Sequence, residues 1–229
     1  MLDISQHKLI LVQILKEIYS NISIASLLGF KGGTAVYLFY DLPRFSVDLD
    51  FNLLDKKRKD HVFHSISEIL NKVGRIKDQR EKQATLFFVI SYGEEERNIK
   101  VEISKRIFPD RYEVKNYLGI SMLVMRKEEM FAHKLVALSE RKTIANRDLF
   151  DLWFFMKNNW KVNKEIVELR TGMDFKGYMN KCIKKVEFVN EKYILQGLGE
   201  ILDDKYKHWV KSGLKKEIIF LLNFYYKNY

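Results

Sequence analysis

The sequence predicts an α+β fold: a small mixed β-sheet with helices over residues 1–120, followed by a helical part over 121–229. Three observations support this. Segments near 46–52 and 98–104 alternate with the period of two that marks strands, and 85–91 is rich in β-formers. The spacing of apolar residues in 4–20, 57–73 and nearly everything after 126 has a helical period. Helices and strands that are interspersed early and then give way to helices alone suit an α+β arrangement.

Residues 4–20 carry Leu9, Ile10, Val12, Ile14, Leu15, Ile18 and Tyr19 at near-helical spacing. A short helix around 22–29 is expected to lead into Gly32-Gly33. The glycine pair permits a tight turn and brings backbone N–H groups within reach of an anion. Ala35–Tyr40 then reads as a short helix whose N-terminus favours a phosphate. An ordinary loop between two helices would also use two glycines.

After Pro43, Val47, Leu49 and Phe51 alternate with Ser46, Asp48, Asp50 and Asn52. On a strand, Asp48 and Asp50 project from one face and can share a hard divalent cation such as Mg²⁺. An amphipathic strand with a solvated face gives the same alternation. The helix over 57–73 buries Val62, Phe63, Ile66, Ile69 and Leu70 and ends near Gly74. Thr85–Ser91 and Asn98–Ser104 form two strands, with Gly93 and its charged neighbours as the turn between them. Glu102 lies on the polar face of the second, and 105–125 reads as irregular or short-stranded, broken at Pro109 and Gly119.

The stretch KGGTAVYLFYDLPRFSVDLDF resembles the first motif of the AbiEii-type nucleotidyltransferases, within the DNA-polymerase-β-like superfamily. Lys31, Gly32, Gly33, Thr34, Ala35, Arg44, Ser46, Asp48 and Asp50 carry the likeness. A second segment, K-x-x-A-x-x-x-R…R-D-x-x-D, is matched at Lys134, Ala137, Arg141, Arg147, Asp148 and Asp151. The resemblance implies transfer of a nucleoside monophosphate from an NTP, with Mg²⁺ or Mn²⁺ held by Asp48, Asp50 and Glu102. It implies that Gly32, Gly33, Thr34, Ser46, Lys134 and Arg141 bind the nucleotide, and that Asp148 is a further functional acid. Spacing alone does not choose between Asp148 and Asp151. A buried ion-pair network of Lys134, Arg141, Arg147 and both aspartates is the competing reading of this segment.

The resemblance further implies an RNA acceptor, the 3′ end of tRNA, a toxin role with growth arrest or phage defence, and a cognate antitoxin. A protein hydroxyl or a small molecule such as an aminoglycoside is the alternative acceptor, and a degenerate NTP-binding module the non-enzymatic alternative. Glu102, where the superfamily more often has Asp, leaves room for the latter.

Composition constrains the rest. The net charge is +10, with 21 basic and 14 acidic residues in 121–229 against 19 and 16 before. Such an excess suits a polyanionic partner, though a lysine-rich solvated surface has the same charge. Tyr178, Lys181, Lys184, Lys185, Phe188, Lys192 and Tyr193 interleave aromatic and basic residues, a pattern of nucleic-acid binding and equally of a solvated helix over a core. The single Cys182 excludes an internal disulfide, and no apolar run is long enough to span a bilayer, so a cytoplasmic protein is expected. The five histidines show no zinc spacing. Trp153, Trp160, Trp209 and the FYYKNY tail read as structural.

Overall fold

A computed structural model describes residues 3–93 and 97–228. The charged residues expected at the turn after Gly93, and the last tyrosine of the tail, lie outside them. The chain divides into two compact units: residues 1–41 with 45–125, and residues 42–44 with 126–229.

The first unit begins with α1 (Ile4–Ser20), whose N-cap Asp3 accepts a hydrogen bond from the Gln6 N–H at 3.0 Å. Its buried face is His7, Leu11, Ile14, Leu15 and Ile18. This face is rotated from the one expected, because Leu9 is exposed. Then follow β1 (Leu28–Lys31), α2 (Gly32–Tyr40), β2 (Leu49–Leu53), α3 (Lys59–Val73), β3 (Arg75–Glu81), β4 (Thr85–Ser91), β5 (Ile99–Ser104), β6 (Tyr112–Tyr117) and β7 (Ile120–Met125). The sheet runs β3-β4-β5-β2-β1-β7-β6. It is mixed: β2 pairs parallel with β5 and β1 parallel with β7, and the other neighbours are antiparallel. Helices α1 and α3 pack on each other, and Leu49, Phe51, Val101 and Ile103 are fully buried in the sheet.

Two strands, β1 and β3, depart from the expectation. The helix expected at 22–29 is only a 3₁₀ turn at Ala25–Leu27 followed by β1. Four residues are too few to show a period. Edge strand β3 is almost wholly polar, so it has no apolar alternation to read. The segment expected to be irregular or short-stranded contains the hairpin β6–β7. Its two-residue turn, Leu118-Gly119, has φ of 49° and 81°, the positive values that type I′ hairpin turns require.

The second unit holds α4 (Lys127–Glu140), α5 (Asn146–Lys157), α6 (Lys164–Thr171), α7 (Phe175–Glu187), α8 (Asp204–Ser212) and α9 (Leu214–Asn228). Asn163, Asp174 and Asp203 cap α6, α7 and α8 by accepting backbone N–H bonds. Such caps contribute about 0.5–2 kcal/mol each. Helix α5 is apolar around most of its circumference because it is enclosed by its neighbours. The core contains Phe131, Phe155, Tyr178 and Tyr225, and Trp160 stacks on Phe155 at 4.4 Å. Tyr225 donates its hydroxyl to the Trp160 carbonyl at 2.7 Å, tying the end of the chain to this core.

Candidate active site

In the sheet unit the candidate residues meet where β1 passes into α2 and where β2 begins. Gly32, the first residue of α2, has φ +81°, and a Cβ built there would lie 2.5 Å from Asp50 Oδ2. Any side chain would be both strained and in collision, so this position selects glycine. The N-cap residue, Lys31, makes no side-chain capping bond to α2, and the leading N–H groups of the helix carry the positive end of its dipole.

The buried Thr34 and Ser46 hydroxyls lie 2.9 Å apart, and Thr34 also bonds the Asp48 carbonyl. Together they clamp the segment joining α2 to β2. Asp48 precedes β2 rather than lying within it, and its Oδ1 accepts the Lys100 N–H at 3.1 Å. Asp50 lies within β2, directly opposite Glu102 of β5. Cross-strand partners share a face, so these two carboxylates are neighbours.

All the candidate donors here are carboxylate oxygens, the set that a hard divalent cation prefers. Asp50 and Glu102 fit such an ion as adjacent donors, and the space where Gly32 lacks a Cβ lies against Asp50. Asp48 is turned onto the β5 backbone through Oδ1. Among the described residues, no three His, Cys, Asp or Glu side chains are gathered as a metal-ion cluster.

The helical unit holds the other candidates in a buried ionic cluster. Arg44 grips Asp151 with two bonds, Nε to Oδ1 at 2.6 Å and Nη2 to Oδ2 at 2.7 Å. Lys134 lies 2.9 Å from both Asp151 Oδ2 and Asp148 Oδ1. Arg141, at the end of α4, approaches Asp148 Oδ2 at 3.5 Å without forming a hydrogen bond, and that buried oxygen has no hydrogen-bond partner. Burial disfavours the charge on Asp151, but Arg44 and Lys134 outweigh it and hold the carboxyl below its ordinary value. Burial likewise opposes the Lys134 ammonium, and Asp148 and Asp151 together keep its pKa raised.

The cluster differs from the expected network in one member. Arg147 is exposed and joins none of its ion pairs, and Arg44 takes the partnership expected of it. Spacing arguments within one helix could not find this, because Arg44 is 107 residues from Asp151. The signal available was Arg44 itself, a charged residue between Pro43 and Phe45 in the first motif. Of the two aspartates, Asp151 has both oxygens engaged, and Asp148 keeps the open acceptor.

The sequence profile of the AbiEii nucleotidyl transferase toxins, type IV toxin–antitoxin system, matches residues 13–209. The chain belongs to this family. It is thus a nucleotidyltransferase of a toxin family. A relative of this AbiEii chain, the uncharacterized protein aq_aa25 of Aquifex aeolicus, is 31% identical over 191 residues, 80% of this chain and 86% of its own. Two solved structures from Helicobacter pylori share the fold. JHP933 aligns with a TM-score of 0.65 at 22% identity, over 100% of this chain and 94% of its own. A candidate nucleotidyltransferase aligns at 0.64 and 23%, over 97% and 94%. Among the described residues no helix is long and apolar enough to cross a membrane.

Proposed function

We propose that this AbiEii protein transfers a nucleoside monophosphate from an NTP to a hydroxyl of an RNA acceptor, the 3′ end of tRNA, and that a cognate antitoxin counters the resulting growth arrest. The observation that carries the reading is the Asp50–Glu102 pair beside the N-terminus of α2, where a Cβ at Gly32 would strike Asp50.

In this reading the N–H groups at Gly32 and Gly33 receive the triphosphate, and the Thr34 and Ser46 hydroxyls are assigned to the same phosphate cradle. The acceptor oxygen bonds to the α-phosphorus, the bond from that phosphorus to the β-phosphate oxygen breaks, and pyrophosphate leaves. Asp48, Asp50 and Glu102 would hold Mg²⁺ or Mn²⁺, which when bound lowers the pKa of the acceptor hydroxyl and stabilises the leaving phosphates. Lys134 and Arg141 are assigned to phosphate charge, and their support is the buried aspartates that keep Lys134 charged and oriented. Asp148 is assigned the role of functional acid because its Oδ2 is an open acceptor. The sheet unit is thereby the catalytic core, with the helical unit contributing substrate binding.

The test is to incubate the protein with Mg²⁺, each of four labelled NTPs and total tRNA, beside Asp48→Ala. Label on tRNA with wild type and a loss of at least about 100-fold in the variant is the expected result. Label on polypeptide would move the acceptor to a protein hydroxyl. NTP binding without transfer to anything would overturn the transferase reading.

A further inference from the structure

The row of residues that contains Asp50 and Glu102 does not stop with them. Glu102 is directly opposite Phe87 of β4, and Phe87 is opposite Arg80 of β3. On the other side, Asp50 is opposite Lys31 of β1. Five strands thus contribute one residue each to a single line: Lys31, Asp50, Glu102, Phe87, Arg80. Direct cross-strand partners share a sheet face, so the line crosses one face. From Asp50 to Arg80 it covers three strand spacings, roughly 14 Å.

The far end is built for an anion. The Lys82 ammonium rests 3.4 Å above the Phe87 ring centre, and the Arg80 guanidinium is 5.4 Å from it. Both cations are exposed, and the ring's electron-rich face restrains them over the row. Of the neighbouring acids, Glu81 is occupied by Lys59 and Lys105, and Asp78 lies 3.4 Å from Arg80.

We infer that Arg80 and Lys82, held by Phe87, form the subsite for the phosphodiester backbone of a polynucleotide acceptor. This rests on the proposed transfer reaction and gives it a direction. Attacking and leaving oxygens lie roughly in line across a transferred phosphoryl group. With the triphosphate at the N-terminus of α2, on the β1 side of Asp50, the leaving end points toward Lys31. The attacking hydroxyl then arrives from the Glu102 side, and the rest of the acceptor extends over Phe87 to the two cations.

The experiment is direct binding of a labelled single-stranded oligoribonucleotide, without NTP or divalent metal, to wild type, Arg80→Ala/Lys82→Ala and Phe87→Leu. Lys56→Ala/Lys57→Ala removes equal charge from an exposed turn of the same unit and is the control. The double variant should bind about tenfold more weakly and lose about 1.4 from the log–log salt slope, the value for two phosphate contacts on a single strand. Phe87→Leu should weaken binding by less, and the control by no more than about twofold. In the transfer assay the double variant should raise KM for RNA and leave KM for NTP unchanged. Equal effects in the double variant and the control would overturn the subsite. So would a wild type that binds no RNA or labels only protein. Absence of all transfer would instead count against the reaction, since the binding measurement needs no turnover.

Discussion

The two units use carboxylates in opposite ways. In the helical unit Asp148 and Asp151 are buried, and Asp151 has every oxygen tied to a cation. In the sheet unit Asp50 and Glu102 are only half-buried and lie beside a helix end that attracts anions. A carboxylate sealed among cations is costly to disturb and contributes rigidity. A carboxylate near the surface, next to a positive helix end, is accessible to chemistry. Substitutions should therefore divide into those that unfold the protein and those that silence it.

The largest effect is expected in the helical unit. Asp151→Ala takes away the carboxylate that Arg44 and Lys134 share, leaving Lys134 to Asp148 alone, and breaking this buried ion pair should cost about 3–5 kcal/mol measured by denaturant unfolding. A loss below about 1 kcal/mol would show that the cluster is not a structural anchor. The pH dependence follows from the same shifts. The depressed Asp151 value gives stability that is present above its unfolded value, near 3.8, and is lost as pH falls through the lower folded value. The raised Lys134 value gives stability that is present below 10.5 and is lost as pH climbs through the higher folded value. Between those limits the cluster's contribution should be flat, and an acid titration of the unfolding midpoint tests it.

Gly32→Ala sharpens the other side of the comparison. It combines positive φ with a collision on Asp50, and strain of this kind costs about 1–3 kcal/mol. Transfer should fall by more than the stability loss accounts for, because Asp50 must turn aside. A fully active, equally stable Gly32→Ala would remove the argument that this glycine keeps room for Asp50. The smallest effect concerns Cys182. Burial pushes its thiol up to about 12, so it should react with a disulfide reagent at pH 8 only as fast as the helical unit opens. Rapid labelling of folded protein would contradict that burial.

How much of this was legible in the sequence depended on whether the signal was local. The first motif could be read because Gly32-Gly33 and the Asp48/Asp50 alternation are contiguous, and they lie in the elements that carry the site. Asp48 still fell just outside its strand, because alternation does not mark where pairing begins. Strands β1 and β3 were illegible, one too short for a period and the other too polar. The Asp50–Glu102 pairing needed a parallel register between strands that are not neighbours in sequence, and no local pattern contains that. Which of Asp148 and Asp151 is tied to Arg44 was likewise illegible, because that arginine lies 107 residues from Asp151.

That arginine has a consequence for synthesis. Residues 42–44 belong with the helices although the chain on both sides of them belongs to the sheet unit, and the partner of Arg44 is 107 residues away. At about 5–20 residues per second on the ribosome, the guanidinium waits roughly 5–20 s for its carboxylate. A fragment starting at Arg126 would contain α4 to α9 yet lack that cation, leaving Asp151 with only Lys134. The helical unit is therefore not a segment that can be cut out with one break in the chain, and its Arg44–Asp151 pairing waits for α5.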